Sequence, residues 1–428
     1  MGDDKFVNRV IISIILVLTA VLGILLCVIY SDVKNAENIN TKNVPIKVIK
    51  IWTIHGGIET ILNEVARAYE SEHEGIKIEI TTFKNEVYQS TIQNAAITNE
   101  LPDIYFFWGY EKLKKYVDLD LVWNIGDAMK KYYDGEKPLP GAMDGVTYDG
   151  EIYGMPINGW CSSLFCNSDL FKKYGVAYPT TYNEFIEAIE KFKEKGVTPI
   201  SGSAKEMWMN SLYYMDLVLE EGSVESVYAA SKDPRLFKTE QFHRAARKME
   251  KLIATQPWED NYLESDAYDA AYLFSQGQSA MLLSGSWTAS SIEGEESKVI
   301  DKIDVISFPG LPDSIGVGGY SDALVVSKQS PIVEDEELQK VYFDIIKEVS
   351  TKAIETAGIG LPAYENQVIN QDKFPTLYKC AQVAPTKAIH PAYDQIFDEV
   401  LSDTYYDLLA QLMSRKINAD EFIEGLSK

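Results

Sequence analysis

The chain has 428 residues, 46% of them hydrophobic, which is too long for one average domain and enough for two or three packed cores. Its formal net charge of −24 argues against nucleic acid and anionic lipid as binding partners, because phosphate recognition needs clustered Lys and Arg. Apolar content this high also excludes a disordered chain.

The first residues differ from the rest. Met1–Arg9 carries Lys5 and Arg9, and Val10–Tyr30 (VIISIILVLTAVLGILLCVIY) runs 21 residues without a charge, against the ~20 an α-helix needs to cross a hydrocarbon core. A cleaved signal peptide would show a shorter apolar run and a small-x-small cleavage site. A lipoprotein cysteine would follow a small residue, and Cys27 follows Leu26. The segment therefore reads as an uncleaved signal anchor, basic flank inside and the rest of the chain exported. Ser31–Asn43 reads as a polar tether.

From Pro45 the pattern is α/β. Ile46–Ile54 (IKVIKIWTI) is a β-branched strand, His55-Gly56-Gly57 a turn, and Ile58, Ile61, Leu62, Val65, Ala66 and Tyr69 mark one face of a helix that stops before Gly75. Ile76, Ile78 and Ile80 alternate with Lys77 and Glu79 as a second strand, Val87–Ile97 is a second helix, and Ile104–Trp108 (IYFFW) a third strand. Connection rules build β-α-β-α-β as a parallel sheet covered by helices. Ligands of such sheets bind beyond the carboxyl ends of the strands, and here those ends deliver His55-Gly56-Gly57 and Trp108-Gly109-Tyr110. Trp108 is thus either a core aromatic or part of a ligand crevice.

Glu151–Pro156 leads into the apolar run INGWCSSLFCNSDLF, and Thr181-Tyr182-Asn183-Glu184 is a capping box that opens a helix ending at Gly196. Strand follows at Val197–Ile200, helix through much of 205–275, and then GQSAMLLSGSW (Gly277–Trp287), in which a strand exits through Ser-Gly-Ser onto a tryptophan. A strand near Ile303–Phe308, a glycine-rich passage at Gly316–Gly319 and GYSDALVVSK come next. The tail from His390 is mainly helical, with Ile396, Val400, Leu401, Leu408 and Leu412 repeating at helical spacing. Cys161 and Cys166 sit too close on one extended segment to bridge easily, and the four scattered His form no metal-ligand spacing, so neither disulfide, metal nor cofactor is expected.

In order along the chain these segments resemble family 1 extracellular solute-binding proteins, the maltose-binding-protein-like sugar receptors of ABC importers. GIETILNEVARAYESEHEGIKIEI resembles the family's opening helix and strand, and LPDIYFFWGYEKLKKYVDLDLV its PD-strand-Trp segment. IYGMPINGWCSSLFCNSDLFKKYGVAYPTTYNEF resembles the segment in which the family reads Y-x-P, a strand, Y-N-K-D-L-F and P-x-T-W-x-E-F. GQSAMLLSGSW resembles G-x-x-A-M-x-x-x-G-x-W.

The resemblance implies a two-lobed α/β periplasmic-binding-protein type II fold with hinge-crossing strands, behind the N-terminal transmembrane anchor. Lobe one would be 46–157 with 322–360 and lobe two 158–321 with 361–428, crossing near Asn158–Cys161, Tyr320–Ala323 and Gly360–Pro362. It implies a monomer on the extracytoplasmic face of a bacterial cell membrane that captures a carbohydrate, an oligosaccharide above all, and presents it to ABC permease subunits without catalysing a reaction. A pyranose offers an apolar C–H face and a rim of hydroxyls, so a receptor wants aromatic planes and fixed hydrogen-bonding groups. The expected ligand-binding residues are His55, Trp108, Asn158, Trp160, Trp287, Tyr320 and Asp322, with Trp108 and Trp287 as stacking planes. For Asn158 and Asp322 the alternative is a turn or capping role.

Two other readings stand beside it. The same fold could take a non-sugar solute such as ferric ion, for which Tyr132-Tyr133, Tyr213-Tyr214 and Tyr405-Tyr406 offer paired phenols, or the chain could be a surface-anchored glycosidase with two carboxylates about one bond. No G-x-S-x-G or Walker motif is present, which argues against a serine hydrolase and places ATP hydrolysis on another subunit.

Overall fold

The computed structural model describes residues 45–386 and 388–428, with Leu22, Gly23 and Leu25. The expected anchor Val10–Tyr30 and tether Ser31–Asn43 lie outside the described residues apart from those three, and among the described residues no helix is long and apolar enough to cross a membrane.

Two α/β lobes, each built on its own sheet, make up the fold. In chain order the strands are β1 (Lys47–Ile54), β2 (Ile76–Phe83), β3 (Ile104–Trp108), β4 (Thr147–Tyr148), β5 (Glu151–Ile152), β6 (Gly154–Pro156) and β7 (Trp160–Asn167). They continue as β8 (Thr198–Ser201), β9 (Ser279–Gly285), β10 (Ile303–Ile306), β11 (Ile315–Gly319), β12 (Asp322–Val326) and β13 (Ala388–His390). The first sheet has the order β2-β1-β3-β12-β6, with β1 parallel to β3 as the β-α-β pattern requires. Beyond β3 it turns antiparallel: β12 returns from the second sheet and so enters running the other way, placing Asp322 opposite Trp108. The second sheet has the order β13-β11-β7-β9-β8, with β10 also on β7.

The cores follow from the sequence pattern. The helices Gly57–Glu72 and Glu336–Glu355 bury apolar stripes in the first lobe, and Tyr88 spans its interior to donate a 2.6 Å hydrogen bond to the Phe106 carbonyl. In the second lobe all seven residues of β9 are buried, and the helix Met207–Glu221 buries an unbroken run from Met209 to Leu219, mostly apolar but including Asn210, Ser211 and Asp216. Tyr213, Tyr214 and Tyr405 belong to that core. Thr181 caps the helix Tyr182–Glu194 by accepting from the Glu184 amide. Val400, expected on the inner face of the tail helix, is 76% exposed, whereas Leu401, Leu409 and Leu412 carry the packing. Cys161, Cys166 and Cys380 are free and buried.

Three segments connect the sheets and are hydrogen-bonded to one another. Ile157 N–H donates to the Asp322 carbonyl (2.7 Å), and Gly159 and Leu361 exchange backbone bonds of 2.8 and 2.6 Å. Asn158 Nδ2 donates to the Ile359 carbonyl (3.0 Å). Gly360 holds φ +76° there, and a Cβ on it would stand 2.6 Å from Asn158 Nδ2, so only glycine fits.

Candidate functional site

A cavity of about 1320 Å³ opens between the two sheets. The sheet ends bring into its wall six of the seven residues singled out from sequence: His55, Trp108, Asn158, Trp160, Trp287 and Asp322. Tyr320 is not in that wall. Its ring lies on Gly159, where a Cβ would come within 2.7 Å of it, because β11 and β7 pair closely at that point.

Each side chain is held differently. Trp108 ends β3, packs edge-on against Phe106 at 5.2 Å, and has the Lys112 ammonium 5.0 Å from its ring centre. Trp160, 4% exposed, donates from Nε1 to Ser321 Oγ (3.1 Å), and Ser321 Oγ donates on to Asp322 Oδ1 (3.3 Å). Burial pushes the Asp322 carboxyl up to about 6, with the Ser321 hydrogen bond acting the other way. Asn158 spends its amide N–H on Ile359 and so ties two interlobe segments together at the floor of the cleft. His55 stands at the rim, Nδ1 2.9 Å from Glu59 Oε2, a bond that holds Glu59 below the usual carboxylate range.

Trp287 is half-buried at the end of β9. It meets Trp160 edge-on (centroids 4.9 Å, 65° between planes) and Trp208 at 5.7 Å and 56°. The Ser-Gly-Ser exit has a steric reason: the Trp287 ring folds back over Gly285, where a Cβ would sit 2.1 Å from it. Ser284 and Ser286 are buried and hydrogen-bonded, to Thr288 at 2.8 Å and to the Cys161 amide at 3.3 Å. Gly285→Ala is therefore expected to expel the indole from its seat and to destabilise the fold by about 1–3 kcal/mol. Urea unfolding followed by tryptophan fluorescence checks this, and an unchanged midpoint would count against the seat.

Sequence reasoning missed several wall residues. Trp208, on the helix Met207–Glu221, and Tyr268, on the helix Ala267–Ser275, enter the cavity from a stretch where nothing but helical spacing was visible. Lys112 and Asp394 meet at 2.5 Å although 282 residues apart, and Lys115 pairs with Glu399, joining the first lobe to the second along one side of the cleft. The lining holds Lys112, Lys115 and Lys205 against eight carboxylates, so the field there repels an anionic solute. Among the described residues no cluster of His, Cys, Asp and Glu could hold a metal ion.

A family model described as bacterial extracellular solute-binding protein matches residues 55–340. The multiple sugar-binding protein of Streptococcus mutans serotype c is 21% identical over 293 residues, 65% of this chain and 67% of that one. The melibiose/raffinose/stachyose-binding protein of Bacillus subtilis (strain 168) is 24% identical over 313 residues, 67% and 68% of the two chains. The chain spans about two thirds of the length of these curated relatives. A structure solved in work on xylan utilization by the thermophilic bacterium Caldanaerobius polysaccharolyticus superposes with a TM-score of 0.82 at 29% identity, covering 89% of this chain and 99% of that one. The raffinose complex of the solute-binding protein RafE, at 16% identity, shares the fold with a TM-score of 0.74 over 89% and 98% of the chains. With two sheets facing one aromatic-walled cleft and a family match across residues 55–340, the chain belongs to the bacterial extracellular solute-binding proteins.

Proposed function

We propose that the chain is the substrate-binding protein of an ABC importer for sugars and oligosaccharides, which captures its ligand between the lobes and presents it to the permease. The observation that carries this reading is a single cleft in which Trp108 from the first sheet and Trp287 from the second join Asp322. That is the complement of a pyranose, with planes for the C–H face and an acceptor for the hydroxyl rim. The cavity, about 1320 Å³, exceeds the ~300–1,000 Å³ of sites for drug-sized ligands, which supports an oligosaccharide over a single ring. The names of the relatives, sugar-binding and raffinose-binding, point the same way. As a member of a binding-protein family, the chain is no enzyme.

On this reading His55, Trp108, Asn158, Trp160, Trp287 and Asp322 serve the ligand, Trp160 and Asn158 chiefly by holding the others in place. Lobe one is 46–157 with 322–360, and lobe two 158–321 with 361–428. The apolar run Val10–Tyr30 anchors a monomer at the extracytoplasmic face of the membrane, within reach of the permease.

A thermal-shift screen of xylo-, malto- and raffinose-series sugars, with ferric citrate as a non-sugar arm, tests the function. A ligand at a hundred times its Kd stabilises by about 2.7 kcal/mol. At least one sugar is expected to raise the melting temperature and ferric citrate to leave it unchanged; a response to iron alone would overturn the carbohydrate reading.

A further inference from the structure

Charge ties the two lobes together on one side of the cleft. The helix Glu111–Asp118, which follows β3 in the first lobe, supplies one member of each of three ion pairs whose other members lie in the second. Lys112 Nζ stands 2.5 Å from Asp394 Oδ2, Lys115 pairs with Glu399, and Glu111 Oε1 takes Lys232 Nζ at 2.9 Å. Glu399 Oε1 also accepts from Gln93 Nε2 (3.0 Å), on the helix Asn85–Thr98 of the first lobe. The residue that opens the charged helix is strained: Tyr110 has φ +63° and ψ −139°, a costly conformation for any residue with a Cβ. Its N–H bonds the Gly145 carbonyl and its carbonyl accepts from the Tyr148 hydroxyl, both at 2.7 Å, and this conformation fixes where the helix and its charges point.

We infer that these three pairs form a latch that holds the lobes closed and so sets the affinity for a ligand that itself carries no charge. Each pair joins elements that part when the cleft opens, so all three are made only with the lobes together. A chain that closes more readily binds more tightly, because apparent affinity is the intrinsic affinity scaled by the fraction already competent to bind. One exposed pair contributes little, but three on a single short helix bias the same equilibrium at once. Salt screens their attraction, whereas stacking and hydroxyl hydrogen bonds to a neutral sugar carry no net charge to screen. Affinity for an uncharged sugar thereby depends on ionic strength through groups that need not touch it. The affinity part rests on the carbohydrate reading above, and the closure does not.

Small-angle X-ray scattering of the ligand-free chain, and titration calorimetry with xylotriose, raffinose and maltotriose, test the latch. Each is run at ~0.02 M and ~0.5 M NaCl, between which the Debye length falls from roughly 20 Å to about 4 Å. Lys115→Glu sets two carboxylates face to face, and Lys115→Glu with Glu399→Lys restores the pair with its charges exchanged. Both side chains are partly exposed, 43% and 51%, so the cores are untouched. At low salt Lys115→Glu is expected to have a larger radius of gyration than the wild type and to bind a neutral sugar about fivefold more weakly or worse. The exchanged pair should recover both, as a residue that merely touched the sugar would not, and high salt should move the wild type toward Lys115→Glu. Equal radii for wild type and Lys115→Glu at low salt, a wild-type affinity that salt leaves unchanged, or an exchanged pair no better than Lys115→Glu would each overturn the latch. Absence of binding by all three sugars, with the difference in radius intact, would overturn the carbohydrate reading and leave the closure standing.

Discussion

Trp287→Ala is expected to weaken carbohydrate binding by about 2 kcal/mol or more, roughly thirtyfold, with a smaller loss of stability. The indole is already packed on three sides before a ligand arrives. Trp160 meets it edge-on at 4.9 Å, Trp208 closes a second side at 5.7 Å, and Gly285 lets the ring fold back on its own strand. Stacking on a fixed plane avoids the entropy of ordering a free side chain, so most of the contact energy reaches the affinity. Trp108→Ala should act in the same direction and by less, because one approach to its ring is taken by the Lys112 ammonium. Titration calorimetry on both variants checks this, and wild-type affinity in both would remove the stacking planes from the site.

The second large effect concerns pH. Asp216 lies in the core of the second lobe, fully buried, its Oδ2 accepting from Ser162 at 2.9 Å and its Oδ1 unpaired among the described residues. Burial pushes its carboxyl up to about 8, the Ser162 hydrogen bond acting the other way. In the unfolded chain the same group titrates near its ordinary value of about 3.9. Between those values the folded state holds a proton that the unfolded state has lost, so this group's contribution to stability falls as pH rises, by up to about 1.4 kcal/mol per pH unit. The contribution is fully present below the unfolded value and is gone once pH passes the folded one. Asp216→Asn mimics the neutral acid in shape. The difference in unfolding free energy between wild type and Asp216→Asn should therefore fall steadily from pH 5 to pH 7 by about 2–3 kcal/mol. Other shifted groups, Asp322 among them, are common to both proteins and cancel. A difference that stays flat across that range would mean that Asp216 is ionised in the fold.

What the sequence could show divides along physical lines. The opening β-α-β was legible because local periodicity records burial, and Trp108 and Trp287 because they stand at the ends of strands that open onto the cleft. The glycine-rich passage Gly316–Gly319, by contrast, hid the strand β11, since glycines carry no side chain to mark a buried face. They are there because β11 pairs closely with β7, which puts Gly318 where a Cβ would strike the Trp160 carbonyl at 2.3 Å.

The rest of the site depends on contacts that no local pattern records. Asp322 faces the cleft because β12 pairs antiparallel with β3 and brings it opposite Trp108, a register set by the returning strand. Lys112 and Asp394 come together only after the chain has passed between the lobes, so their spacing in sequence carries no sign of it. Trp208 sits in a helix that is apolar on nearly every side, which hides the one face that lines the cavity. Tyr320 lies in the expected crossing Tyr320–Ala323, which suggests a place in the cleft wall, yet the tight pairing of β7 with β11 turns its ring onto Gly159.

The most direct measurement is a crystal structure of the chain with whichever oligosaccharide raises its melting temperature most. A carbohydrate receptor of this build should show sugar rings between the two sheets, one lying flat on Trp287 and another at Trp108, with a hydroxyl on Asp322. A sugar bound outside the interlobe cleft, or within it and touching neither indole, would contradict the assignment of this cleft as the carbohydrate site.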